Sequence, residues 1–374
     1  MSLLTQFDSF LKPDGPAALV LKQPLMPVEG EDGVVFPATY ASGDGFAGGY
    51  NIDTDPTTGK NVALIDSVGS QANRIEPIFG EEKYKHLVPQ IVVKAGEKDV
   101  SILDAGHRAG DALVRCSSLE TEIEDAFKAS IRGDASPLAK IAPTSLVFGV
   151  WNSRGVKGNQ DKRPRLIAST IRAYDVRRLT RSAIYNSPVD YSAFEVFSEE
   201  DKSKAEGDAK NPLSKRGFVN ALASGTHGGV IADGGIVRTA TLGLAAVRLL
   251  YAGKDEAKTL ALRRYILGLS LVAFTYNSTG YLRQGCLLVL NPSKPAEFVE
   301  VQHTGERKPC TITHEQALAY ATEAAKAYGV GESKTVSFDK DKAKADVKKK
   351  EGKEVKAKIG KKAAKEADED QADE

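Results

Sequence analysis

Apolar and polar residues alternate most regularly in the segment LIASTIRAYDV, residues 166–176. A period of two predicts a β-strand, and its β-branched residues favour the same structure. One face of this strand would carry Arg172 beside Tyr174, which sets a cation next to an aromatic ring.

A second pattern predicts a strand that runs directly into a helix. In NVALIDSVGSQANRIEP, Val62–Ile65 is a short apolar run, and Asp66 or Ser67 can cap a helix that continues to about Glu76, before Pro77. The first turns of a helix present free backbone N–H groups and the positive end of the helix dipole, so this junction can hold a phosphate.

The rest of the sequence predicts further helices and strands. Helices are expected over residues 104–125, 255–276 and 314–328, and a strand near residues 145–151. Residues 225–235 contain five glycines and are expected to form a loop, followed by an amphipathic helix through Leu250. Residues 196–217 are polar and are expected to form a surface insertion.

Composition indicates a protein that can bury a large core. The chain has 374 residues, of which 41% are apolar, and no stretch approaches the length of a membrane span. No secretory signal is evident, and the three cysteines are far apart, so we expect reduced, mostly buried thiols and a cytoplasmic protein. Residues 340–365 contain twelve lysines against four acids, and residues 366–374 contain six acids, which is typical of a low-complexity tail.

Charge is concentrated in one segment although the net charge is only +1. Residues 154–181 contain two acidic residues and nine basic ones, namely Arg154, Lys157, Lys162, Arg163, Arg165, Arg172, Arg177, Arg178 and Arg181. Together with Tyr174, this segment predicts binding of single-stranded nucleic acid, which offers both phosphates and flat rings. Ser67, Ser70, Gln71, Asn73 and Arg74 add hydrogen-bond donors suited to phosphates and sugar hydroxyls.

The sequence contains no recognisable catalytic constellation. The five histidines have no metal-ligand spacing, and neither a GxSxG motif nor a Walker-type phosphate loop is present. The residues therefore mark no catalytic, metal or cofactor site. His227 lies in SGTHGGV, where flexible backbone could expose it to a ligand.

Four segments in order resemble one family: LIDSVGSQANRIEP, DAGHRAGDALVR, FGVWNSRG with RLIASTIRAYDV, and THGGVIADGGIVR. They are similar to the RAMP-superfamily backbone subunit of type I-G (formerly I-U) CRISPR Cascade complexes, over most of residues 15–335. The resemblance implies an α+β fold, a modified RNA-recognition (ferredoxin-like) palm with inserted finger and thumb regions. It divides the chain into a backbone domain at 1–335, with insertions near 90–140 and 196–217, and a tail at 336–374.

The resemblance also implies a non-catalytic role, with no enzyme activity, metal or cofactor, and a set of site residues. Several copies would polymerise along one CRISPR RNA, beside other Cascade subunits, and present the spacer for pairing with target DNA. Ser67, Ser70, Gln71 and Arg74 match the family's RNA-backbone motif. His107, Arg108 and Arg115 match another family motif without an assigned contact, and we include Arg108 among the RNA-binding candidates. Residue chemistry adds Asn73, Arg154, Lys157, Arg163, Arg165, Arg172, Tyr174 and His227. We expect the arginines, lysines and helix-end amides to form one continuous groove that holds the ribose-phosphate chain.

Two alternatives remain open at this point. One is an RNA endonuclease of the same superfamily that uses His227 or His107 as acid or base. The other is a generic RNA-binding α+β protein that binds as a monomer.

Overall fold

The computed structural model describes residues 3–152 and 161–348. Its strands, in chain order, are β1 Ala18–Pro27, β2 Thr39–Tyr40, β3 Gly49–Tyr50, β4 Ile52–Thr54, β5 Asn61–Asp66, β6 Ile91–Ala95, β7 Lys98–Ser101, β8 Val150–Asn152, β9 Asp161–Arg163, β10 Ile167–Tyr174, β11 Val176–Tyr185, β12 Ala221–Ala232, β13 Ile236–Gly243, β14 Tyr281–Arg283, β15 Cys286–Leu290, β16 Glu297–Val301, β17 Arg307–Pro309 and β18 Lys334–Ser337. The helices are α1 Val68–Ile75, α2 Ala112–Arg115, α3 Glu120–Ile131, α4 Ser136–Ile141, α5 Thr144–Phe148, α6 Glu199–Ala205, α7 Pro212–Lys215, α8 Leu244–Arg248, α9 Glu256–Thr275 and α10 His314–Tyr328.

The fold is mixed α+β and is built on a curled antiparallel sheet of nine strands. Seven strands follow the order β14-β15-β1-β13-β10-β5-β4, while β16 also pairs with β1 and β17 pairs with β16. Strand β1 runs through Pro24 without interruption and shows a period of two. Leu19, Leu21 and Leu25 are buried on one face, and Lys22 is exposed on the other.

Two apolar clusters cover the buried face of the sheet. Helix α9 packs on one half, and α10 packs against α9. Helix α9 is apolar around most of its circumference, as a central helix must be. The other half is covered by residues that include Val35, Tyr50 and Leu288. The predicted helices at 255–276 and 314–328 are confirmed, and α10 begins at a capping box of Thr313 and Gln316.

A smaller sheet pairs a strand near the C-terminal end of the described chain with residues 91–101. Strand β18 pairs in parallel with β6, which pairs antiparallel with β7, and residues 340–348 are helical. The domain boundary predicted at residue 335 therefore falls inside a strand. Beyond that strand, Lys342 forms an ion pair with Glu120 at 2.9 Å, and Arg115 lies 3.6 Å from Asp346. The first part of the predicted tail thus contacts the predicted insertion at 90–140.

Strands β11 and β12 form a separate hairpin that we call the arm. Val176 and Ala232 are buried at its base, whereas most of β11 beyond them is exposed on both faces, so the arm projects from the body. The predicted polar insertion at 196–217 lies between the two strands and contains α6 and α7. Tyr191 and Phe218 pack edge to face there, 5.1 Å apart.

Three local predictions are wrong. Most of residues 145–151, expected as a strand, lie in α5, and only Val150 and Trp151 are in β8. The glycine-rich segment is mainly strand β12, and β13 replaces most of the helix expected after it. The helix expected over 104–125 is divided among a 3-10 turn at Arg108–Gly110, α2 and the start of α3.

Candidate nucleic-acid interface

The junction of β5 and α1 forms as the sequence predicts. The helix begins at Ser67, whose backbone is extended and whose hydroxyl accepts a hydrogen bond from the N–H of Ser70 at 3.2 Å. A β-bulge precedes the cap, because Asp66 pairs with Ile171 while Leu64 pairs with Arg172. The bulge turns the Asp66 side chain to the buried face of the sheet, where the alternation alone would have pointed it outward.

Asp66 is the centre of this site. Its side chain is completely buried, and its carboxylate accepts hydrogen bonds from four side chains. Ser70 Oγ and Arg283 Nη2 bind Oδ1 at 2.8 and 2.9 Å, while Gln71 Nε2 and Arg74 Nε bind Oδ2 at 2.7 and 3.2 Å. One carboxylate therefore orients two arginine side chains that come from distant parts of the chain.

Both arginines keep polar groups available at the surface. Their side chains are 30% and 24% exposed for Arg74 and Arg283, respectively. In the described part of the chain, the two terminal nitrogens of Arg74 have no hydrogen-bond partner. A guanidinium held by one edge and open on another is suited to binding a phosphate.

Gln71 supports the site from inside. It is completely buried, and its Oε1 accepts hydrogen bonds from Ser169 Oγ at 2.9 Å and Ser278 Oγ at 3.0 Å. Ser169 in turn accepts from buried Arg238, which also donates to Gln23 at 2.7 Å. Burial lowers the pKa of Arg238 to about 10. Gln71 therefore ties α1 to the sheet and is not available to a ligand at the surface.

A second arginine centre lies at the other end of α1. Arg108 is buried with its Nε 2.6 Å from Glu76 Oε2, and it donates to Asn73 Oδ1 at 3.4 Å and to the carbonyl of Gly149 at 3.2 Å. Burial raises the pKa of Glu76 to about 7, because loss of hydration outweighs the attraction of Arg108. Arg108 thus connects α1 to the turn that leads into β8.

Arg165 extends this centre toward the surface. Arg165 is exposed. Its backbone packs against Gly149, where an added Cβ would lie 2.9 Å from the backbone nitrogen of Arg165. Partial burial, followed by repulsion from Arg108, lowers the pKa of Arg165. Arg163 is half-buried at the end of β9. Arg154 and Lys157, predicted to bind RNA, lie outside the described residues.

The residues gathered along α1 define what we call the α1 cluster. Its members are Ser67, Ser70, Asn73, Arg74, Arg108, Arg165 and Arg283. Arg74 and Arg283 pair with Asp66, and Arg108 pairs with Glu76. Arg165 adds a fourth positive charge that Arg108 repels, so positive charge is in excess within this set. The sequence had predicted all of these residues except Arg283.

Arg172 and Tyr174 do not join the α1 cluster. Both are exposed on β10, whereas Ile171 before them and Ala173 between them are buried. The predicted alternation is therefore confirmed. Their side chains therefore lie on the outer face of the sheet, opposite to Asp66. Arg172 donates to Thr170 at 2.8 Å and is paired across the sheet with Leu64 and Val237. The structure thus presents two basic surfaces where one continuous groove was expected.

His227 and the arm arginines are separate from the α1 cluster, whereas His107 adjoins its member Arg108 in sequence. His227 is on β12 of the arm, and its ring packs edge-on against Tyr50 with centroids 4.6 Å apart. The side chain of His107 is 78% exposed and lies 3.5 Å from Asp111. On the arm, Arg177 binds Asp233 through two hydrogen bonds of 2.6 and 3.1 Å.

Comparison with known proteins found a matching family. Residues 19–178 match the model of the family described as CRISPR-associated protein GSU0053, which indicates a CRISPR-associated protein. The match covers less than half of the chain. It includes every member of the α1 cluster except Arg283, and it also includes Arg172 and Tyr174. A search of curated proteins found no match.

Across 3–152 and 161–348, no helix has the length and apolar content needed to cross a lipid bilayer. Within the same ranges, no three His, Cys, Asp or Glu side chains are grouped as metal ligands would be.

Proposed function

We propose that this protein is a non-catalytic, CRISPR RNA-binding backbone subunit of a type I-G Cascade complex, of the RAMP superfamily. The observation that carries the proposal is the convergence of Arg74 and Arg283 on one buried carboxylate, beside the capped start of α1. The family match over residues 19–178 supports the CRISPR association.

In this proposal the α1 cluster binds the ribose-phosphate backbone. Arginines and hydroxyls at a helix start suit phosphate oxygens and sugar hydroxyls, which carry no sequence information. Asp66 and Gln71 hold those groups in place without touching the RNA. Because the contacts are to the backbone, the bases of the spacer remain free to pair with target DNA.

The outer face of the sheet and the arm extend the proposal. Arg172 and Tyr174 offer a cation and a ring on the outer face of the sheet, where a palm of the RNA-recognition type would bind a strand. The arm, with α6 and α7 at its far end, is suited to the role of an inserted thumb that reaches RNA or the next copy. In the cytoplasm, copies of the chain would assemble along one RNA together with other Cascade subunits, and without a cofactor or a metal.

The nucleic acid that copurifies with the protein tests this proposal. The full chain is expressed with a CRISPR array, purified, and its bound nucleic acid is extracted, sequenced and mapped for nuclease protection. We expect a discrete RNA of guide length, protected at regular intervals by successive copies. The absence of enriched spacer RNA would contradict the proposal.

The same preparation separates the alternatives. We expect repeat RNA to remain intact after incubation with the protein. Cleavage that disappears in His227→Ala or His107→Ala would favour the endoribonuclease. RNA of mixed origin bound by a monomer, with a single protected interval, would favour a generic RNA-binding protein.

A further inference from the structure

Trp151, the only tryptophan of the chain, has an unusual position. It lies on β8 between Val150 and Asn152, which are both buried, so the strand turns its ring outward and leaves the residue 48% exposed. The hairpin of β8 and β9 is held against the turn at Arg108–Gly110, where a Cβ on Gly110 would lie 2.8 Å from the Trp151 carbonyl oxygen. Close packing therefore holds the backbone that carries this exposed ring.

One cation lies against this ring, and a second follows three residues further along the chain. Lys162, its cross-strand partner, places Nζ 4.8 Å from the ring centroid. The chain continues from β9 to Arg165, which belongs to the α1 cluster. A surface that combines an exposed indole with a neighbouring lysine is complementary to a ligand that carries both a flat ring and a negative charge.

We propose that Trp151 is a stacking site for one unpaired nucleobase, with Lys162 and Arg165 binding the adjoining phosphates. This inference rests on the proposed RNA-binding function and adds to it a contact with a base. The base would lie on the indole face, and the Lys162 ammonium would move from the ring to a phosphate. A single stacked base at each copy would leave the other bases of the strand free.

Tryptophan fluorescence tests the proposal directly, because the signal comes from this one residue. The probes are a single-stranded RNA, the duplex of the same sequence, and an oligomer of the same length with one run of abasic sites. Binding of each probe is measured independently by anisotropy of an end label. We expect strong quenching by the single strand, and little quenching by the duplex or by the abasic run at equal saturation. Equal quenching by all three probes, or none by a bound single strand, would overturn the proposal.

Two variants add a test of affinity. Trp151→Leu should weaken binding of the single strand about tenfold, whereas Trp151→Phe should retain most of the affinity. The matched control is Tyr251→Leu, because Tyr251 is 47% exposed and also has a cation, that of Arg263, 4.8 Å from its ring, but lies outside the basic segment. Equal effects at Trp151 and Tyr251 would contradict a specific site.

The outcomes distinguish the stacking site at Trp151 from the proposed RNA-binding function. If the wild-type chain binds RNA tightly without any change in fluorescence, the stacking site is wrong and the backbone function stands. If it binds no RNA in the anisotropy measurement, both are wrong. The comparison of probes needs only the wild-type chain, so it decides the matter even where Trp151→Leu fails to fold.

Discussion

Replacement of Asp66 by asparagine tests how the α1 cluster is held together. The side chain of Asp66 is fully buried and is hydrogen-bonded to Ser70, Gln71, Arg74 and Arg283. Asparagine keeps the shape, removes the charge from two ion pairs, and turns an N–H₂ group toward groups that are themselves donors. Loss of one partner of a buried ion pair costs about 3–5 kcal/mol.

The expected loss is somewhat below that range. Arg74 and Arg283 are 30% and 24% exposed, so water can hydrate part of each guanidinium once the carboxylate is gone. We therefore expect Asp66→Asn to lower the free energy of unfolding by about 2–4 kcal/mol, measured by urea denaturation with the slope held common to both proteins.

The control uses the same pair of residue types at the surface. Asp233 binds Arg177 through two hydrogen bonds, but both side chains are about half-exposed. Asp233→Asn should leave the urea midpoint unchanged within the error of the measurement, since exposed ion pairs contribute little. A loss below about 1 kcal/mol for Asp66→Asn, or equal losses at both sites, would refute a buried organising carboxylate.

Three further predictions concern other parts of the molecule. Because burial raises the pKa of Glu76 from 4.5 to about 7, the folded chain holds a proton that the unfolded chain has lost, and stability falls as pH rises between these values. As the pH rises through that window, the free energy of unfolding of Glu76→Gln should therefore increase relative to that of wild type by up to roughly 3 kcal/mol. Urea midpoints of the two proteins that stay parallel from low to neutral pH would contradict this prediction. Gly329 ends α10 with φ of 73°, so Gly329→Ala should cost about 1 kcal/mol in a thermal melt, and an unchanged melting temperature would be unexpected. Arg172→Gln should leave stability unaltered but reduce the salt dependence of RNA binding by one contact, about 0.7 in the log–log slope, whereas an identical slope would exclude Arg172 from the interface.

The sequence located the start of α1 because the signals are local. A short apolar strand, a capping serine and a proline at the end lie within sixteen residues, and each acts on its neighbours alone. Arg283 gave no such signal. It binds Asp66 across 217 positions of sequence, and only the pairing of β14 with β15 and of β15 with β1 brings it there.

Glycine composition was misleading in β12. Glycines predict a loop because their backbone is permissive, yet here they allow close packing of strands. A Cβ at Gly228 would lie 2.6 Å from the backbone of Thr180 on β11, and one at Gly229 would lie 2.5 Å from the side chain of Val34. Such contacts depend on partners far along the chain, which composition does not reveal.

The single continuous groove was wrong for a related reason. Alternation correctly placed Arg172 and Tyr174 on one face of β10. The face on which α1 packs, however, is set by the bulge that turns Asp66 inward, and a bulge inserts one residue without a clear sequence signature. The predicted residues therefore divide between the two faces of the sheet.

The salt dependence of single-stranded RNA binding tests the central claim most directly. The dissociation constant is measured over a range of salt for the wild-type chain, for Arg74→Gln with Arg283→Gln, for the same pair changed to lysine, and for Arg307→Gln, an arginine held by surface Glu297. We predict that the double glutamine variant loses about 1.4 from the log–log slope, that lysine restores much of it, and that Arg307→Gln matches wild type. A folded double glutamine variant with the wild-type slope and affinity would contradict the assignment of the α1 cluster to RNA phosphates.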